Sequence, residues 1–133
     1  MIKMIIKSLL HLFVLLILVG TTNAQPAIQP VTIQVIPSRP DWKYKAGEEV
    51  MFQVIATKWG HPLKGITLNY EVGFEKMPPA KKGSLQQSDD RQIINAGRIK
   101  TPGFIRCIVT CEADGITYRG LATAAVDPEK IVP

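Results

Sequence analysis

From Gly103 to Val126 the chain reads GFIRCIVTCEADGITYRGLATAAV, two stretches of alternating apolar and polar positions on either side of Asp114-Gly115. Asp-Gly between alternating runs predicts a β-hairpin, because a type I′ turn needs φ > 0 at both central residues. With those two residues as the turn, Ala113 lies opposite Ile116 and the register follows by counting. Cys111 faces Tyr118, Val109 faces Gly120, Cys107 faces Ala122 and Ile105 faces Ala124. These side chains share one face, and nearly all are apolar or small. The other face carries Arg106, Thr110, Glu112, Thr117, Arg119 and Thr123 around an Ile108–Leu121 pair. A one-residue slip would exchange the two faces, so the register is strongly specified. The apolar face needs a second sheet to cover it. Its lane of small residues, Gly120, Ala122 and Ala124, calls for something large opposite; Phe52, Tyr70 and Phe74 are the candidates.

The same period-two pattern marks further strands. Val31–Val35 alternates, and Pro37 and Pro40 then stop regular pairing. Val50–Ala56 follows, with Val50, Phe52, Val54 and Ala56 facing inward. Trp59–Gly65 is a loop by composition. Ile66, Leu68, Tyr70, Val72 and Phe74 then alternate with polar residues or glycine, as in an antiparallel sheet wet on one side. Met77–Asp90, with two prolines and few core candidates, predicts an irregular and mobile stretch. Arg91–Lys100 predicts two short strands around Ala96-Gly97. About seven short strands without a helix in the mature chain predict an all-β fold, an Ig-like antiparallel β-sandwich. It is not the antibody type. No inter-sheet disulfide is available, and neither Trp42 nor Trp59 lies mid-strand.

The N-terminus changes how the charge is read. Lys3 and Lys7 precede an apolar run, Leu9–Val19, and Thr22-Asn23-Ala24 ends in a small residue. That is the pattern of a cleavable signal peptide, and the run is short for a membrane span. The expected organisation is therefore a signal peptide at 1–24, a β-sandwich at 25–126 and a linker at 127–133. The product would be secreted or periplasmic in a bacterium and free of the membrane after cleavage. Loss of Lys3 and Lys7 lowers the net charge from +5 to +3. What remains is scattered, with no basic stripe for nucleic acid. Cys107 and Cys111 lie four residues apart on one strand, roughly 13 Å between Cα atoms. A disulfide needs less than about 7 Å. They are expected as buried free thiols.

Catalytic chemistry finds little footing. The mature serines are Ser38, Ser84 and Ser88, none within G-x-S-x-G, and His61 is the one histidine outside the signal peptide. One histidine does not make a triad. There is no P-loop, zinc spacing or dinucleotide fingerprint. Asp89-Asp90 reads as solvated surface. No catalytic residue, cofactor or metal is expected. The remaining candidates are aromatic. Trp42, Tyr44 and Trp59 lie outside clean strand interiors, where they would stack on sugar rings, contact a partner or cover the open ends of the sandwich.

Three segments carry a family resemblance: Pro40-Asp41-Trp42-Lys43-Tyr44 through Gly47-Glu48, Pro102-Gly103-Phe104-Ile105-Arg106-Cys107, and ATAAVDPEKIVP from Ala122 to Pro133. They resemble the N-terminal domain of secreted bacterial acetylxylan esterases, of the acetylxylan esterase/cephalosporin-C deacetylase family. The resemblance covers nearly all of the mature chain and implies a β-sandwich leading through the Asp-Pro-Glu-Lys-Ile segment into an α/β-hydrolase domain. The family's Ser-Asp-His triad lies in that second domain, so no catalytic residue is carried over to this sequence. The implied role is a non-catalytic accessory module that packs against or positions the hydrolase, with acetyl-ester hydrolysis belonging to the parent protein. The alternative is a self-standing secreted glycan-binding or adhesion module, with xylan or another plant glycan as ligand.

Overall fold

The structure, a computed structural model, describes residues 29–128; the expected signal peptide and most of the expected linker lie outside the described residues. Among the described residues, nine strands follow one another without a helix: β1 (Val31–Pro37), β2 (Lys43–Lys45), β3 (Glu49–Lys58), β4 (His61–Pro62), β5 (Thr67–Phe74), β6 (Lys81–Gln86), β7 (Gln92–Arg98), β8 (Gly103–Ala113) and β9 (Ile116–Asp127). They form two sheets. In the first, β3 is central, with β1 along one edge and β7 and β4 sharing the other. The second has the order β2-β9-β8-β5-β6, antiparallel except for β2, which runs parallel to β9.

The hairpin has the expected register from Ala113–Ile116 through Ile105–Ala124. Asp114 and Gly115 have φ of 53° and 76°, as a type I′ turn requires. One alternating face of each long strand is buried. Val50, Phe52, Val54 and Ala56 of β3 join Ile105, Cys107, Val109 and Cys111 of β8 in a single core shared by both sheets. Burying a large apolar side chain contributes about 1.5–3 kcal/mol, so these two strands carry much of the fold's stability.

Two expectations are corrected. Met77–Asp90 is not one irregular stretch, because Lys81–Gln86 pairs with β5 from Thr67–Gln86 to Val72–Lys81. Its polar composition is that of an edge strand, where charge discourages further pairing. Residues 91–100 hold one strand, not two; the shift in pairing between Val50–Gly97 and Met51–Asn95 absorbs Ala96 as a bulge. The inward aromatics Tyr70 and Phe74 lie over Gly83 and Gly103, whereas Gly120 in the small-residue lane is met by Ile33 of β1. The backbone of β1 thus approaches β9 closely, and the two sheets converge along that side.

β9 runs the length of the second sheet and gives the molecule two rims. At the hairpin rim lie the Asp114-Gly115 turn and the β3–β4 turn, joined by Lys58 Nζ donating to Asp114 Oδ2 at 2.8 Å. At the exit rim lie β2, the start of β8, the end of β5 and Asp127.

Candidate functional site

The three aromatic candidates do not form one site. Tyr44 is 3% exposed and belongs to the core. Its place on β2 directs it inward beside Val126, its register partner on β9. Its hydroxyl donates to the Met51 carbonyl at 2.9 Å and accepts from the Arg39 N–H at 3.3 Å, tying β2 of one sheet to β3 of the other. The Arg39 guanidinium lies 5.0 Å from the ring centroid. No face of Tyr44 is left for a sugar.

Trp42 and Trp59 are 45% and 65% exposed, and both have positive φ. Trp42 sits at the exit rim, its carbonyl accepting from Ala125 N–H at 2.9 Å. Trp59 sits at the hairpin rim, next to the Lys58–Asp114 pair, with its N–H donating to the Pro30 carbonyl. From Ile116 to Ala125 the chain takes nine extended steps, about 30 Å. No single small ligand touches both tryptophans. The hydrogen bond to Asp114, then its charge, raises the pKa of Lys58.

The outer face of the second sheet holds an open groove of about 430 Å³, lined by residues that include Asn69, Glu71, Lys82, Thr110 and Arg119. Cross-strand pairing explains the grouping: Ser84, Asn69, Thr110 and Arg119 follow one another across four strands, and Lys82, Glu71, Ile108 and Leu121 form the next row. Ser84 Oγ donates to Asn69 Oδ1 at 2.7 Å, and Lys82 lies 3.4 Å from Glu71. Sequence reasoning placed Asn69, Glu71, Thr110 and Arg119 on the wet face and left Lys82 and Ser84 in an irregular stretch. It missed the groove, which exists through β6, the edge strand that its composition hid.

Elsewhere the chemistry is structural. Ser84 is engaged with Asn69, and Ser88 Oγ accepts from Gln92 Nε2 at 2.6 Å, while His61 is exposed on β4. The serines and the histidine are not brought together. Cys107 and Cys111 are free and buried. Burial pushes the Cys107 thiol up to about 12 and raises that of Cys111, so neither supplies a thiolate nucleophile at neutral pH. Among the described residues, no group of three His, Cys, Asp or Glu side chains could hold a metal ion.

No family model matches the chain. Over 98 residues it is 30% identical to the acetyl esterase Axe7A of Xylanibacter ruminicola. The match takes in 74% of this chain and 21% of that protein, so the chain spans about a fifth of the length of the curated relative it matches.

Proposed function

We propose that this chain is a non-catalytic, Ig-like β-sandwich module of a secreted carbohydrate esterase, exported through cleavage of residues 1–24, and that it packs against or positions the α/β-hydrolase domain of its parent. The observation that carries this reading is the similarity to an acetyl esterase, which extends over three quarters of this chain but a fifth of the relative. The side chains support it, since neither the serines nor the histidine form a nucleophile–base pair. The strand order supports the Ig-like part. Counting the seven strands of six or more residues, the first, second and fifth share one sheet, and the seventh, sixth and third are neighbours in the other. That is the arrangement of A, B and E against G, F and C.

The test compares the whole parent protein with this chain alone on p-nitrophenyl acetate and on acetylated xylan. The parent is expected to turn over both and this chain neither. Turnover by residues 25–133 that a substitution at Ser84 or Ser88 abolishes would overturn the reading.

The groove over Asn69, Thr110 and Arg119 favours a second reading, a self-standing glycan-binding or adhesion module for xylan or another plant glycan. Retention of this chain on insoluble xylan, lost on Arg119→Ala, would support it.

A further inference from the structure

We propose that the groove on the outer face of the second sheet binds an acidic oligosaccharide, with Arg119 holding the carboxylate of a uronic acid unit while Asn69, Thr110 and Glu71 take hydroxyls. This rests on the second reading above, a glycan site in this groove, and names its ligand class.

The groove has two unlike ends. At the β6 end, Lys82 Nζ lies 3.4 Å from Glu71 Oε1, and the two charges offset each other. At the β9 end, Arg119 is exposed, and among the described residues its guanidinium has no carboxylate within 4.0 Å. By register its neighbouring acids are Glu71, one row along and two strands away, and Glu112, one row toward the hairpin turn. One uncompensated positive charge therefore stands at one end of an otherwise balanced groove. A guanidinium donates two parallel N–H bonds to a carboxylate, the pairing its planar fork fits best.

Between the ends, the polar groups suit a polyol. Asn69 Oδ1 accepts from Ser84 Oγ at 2.7 Å, which leaves Nδ2 to donate. The Thr110 hydroxyl beside it donates or accepts. Glu71 has Oε2 left to accept from a hydroxyl, since Lys82 engages Oε1. Ile108, half-buried and opposite Glu71, adds apolar carbon to the lining. Lys82 and Arg119 lie three strand spacings apart, about 14 Å, room for more than one sugar ring. The volume of about 430 Å³ falls within the usual range of small-ligand sites, about 300–1,000 Å³.

These features discriminate between ligands. A neutral sugar leaves the Arg119 charge unused, and the groove offers it no aromatic face in return, because Tyr70 turns inward over Gly83. A polyanion, such as an acidic peptide, sets like charge against Glu71. A sugar with one carboxylate meets both ends.

Cellobiouronic acid and cellobiose differ in one carboxylate, which makes them matched probes. Amide chemical-shift titrations of this chain are expected to show the acid shifting Asn69, Thr110 and Arg119 and binding about 3- to 10-fold more tightly than cellobiose, an advantage that added salt erodes. Arg119→Gln should bring the acid down to the level of cellobiose, and Arg119→Lys should keep part of the preference. The unchanged amide spectrum of each variant away from the groove will show that it folds. Equal binding of the two disaccharides, or a preference that survives Arg119→Gln, would overturn the acidic class and leave a glycan site standing. Binding of neither overturns the proposal, and retention on insoluble xylan then decides the glycan reading separately. Tighter binding of a polyglutamate peptide than of the acid would assign the groove to an acidic protein and overturn it as well.

Discussion

The side-chain amide of Gln87 bonds the backbone of Ala56 twice: Ala56 N–H donates to Oε1 at 2.6 Å, and Nε2 donates to the Ala56 carbonyl at 2.7 Å. Ala56 lies where the second edge of β3 has no strand beside it. β7 pairs as far as Val54, and β4 begins at Thr57. One side chain thus stands in for the missing residue of a strand. Gln87 is the buried polar residue among the described ones. Leaving such a group unpaired costs about 1–3 kcal/mol. Gln87→Leu is therefore expected to lower the urea-unfolding free energy by at least that much, whereas Gln86→Leu, exposed on β6, should stay within about 0.5 kcal/mol. Equal effects of the two would show that the amide bridge contributes nothing.

Gly120 admits no side chain. A Cβ there would sit 2.5 Å from the Ile33 carbonyl oxygen and 2.9 Å from Ile33 Cγ2. Gly120→Ala must push β1 away from β9 and is expected to cost about 1–3 kcal/mol, the usual range for overpacking. Because the nearest atom is backbone, Ile33→Ala in the same chain, which removes Cγ2, should not restore the loss. Thermal melts of the two single variants and the double variant decide it. A full rescue would place the conflict in the side chain alone.

These two contacts mark where the sequence is legible and where it is not. The hairpin register, the inward faces of β3 and β5 and the unpaired cysteines follow from local alternation, because a buried sheet face imposes period two on its own residues. β6 does not follow. The inward face of KKGSLQ offers only Gly83 and Leu85 beside Lys81, too little alternation to mark a strand, and Gly83 is set by Tyr70 on the neighbouring strand. Gln87 is likewise chosen by a gap in a sheet edge that is distant in sequence. At the candidate surfaces, the exposure of Trp42 and Trp59 agrees with their lying outside strand interiors. Their separation to opposite rims depends on pairing, and so does the burial of Tyr44 in a three-residue parallel strand.

The Cys107 thiol gives stability an alkaline limit. Its folded value is about 12 against an ordinary 9.0, raised by burial. Below about pH 9 both folded and unfolded chains keep the proton, and the contribution of the neutral buried thiol is complete. Between about 9 and 12 the unfolded chain releases the proton and the folded chain does not, so stability falls as pH rises. The loss approaches about 1.4 kcal/mol per pH unit for one group. Urea titrations from pH 8 to 11 should show a steeper decline for the native sequence than for Cys107→Ala. Parallel curves would mean that this thiol does not report folding. Alkylation at pH 8 should modify neither cysteine until the chain unfolds, and both afterwards.

Tyr44 separates a structural role from a binding one. Its hydroxyl bridges the Met51 carbonyl and the Arg39 N–H, and its ring closes the core at the rim where Trp42 is exposed. Tyr44→Phe keeps the ring and removes both hydrogen bonds of the hydroxyl, an expected loss of about 0.5–1.5 kcal/mol for each. Tyr44→Ala removes the ring as well, and large aromatic deletions from a core cost about 3–5 kcal/mol. Trp42→Ala removes a half-exposed ring and should cost the isolated domain much less than Tyr44→Ala. The order of urea midpoints is thus expected to be native, then Trp42→Ala and Tyr44→Phe close together, then Tyr44→Ala well below. A midpoint for Tyr44→Ala level with that of Tyr44→Phe would mean that the ring adds nothing to the core.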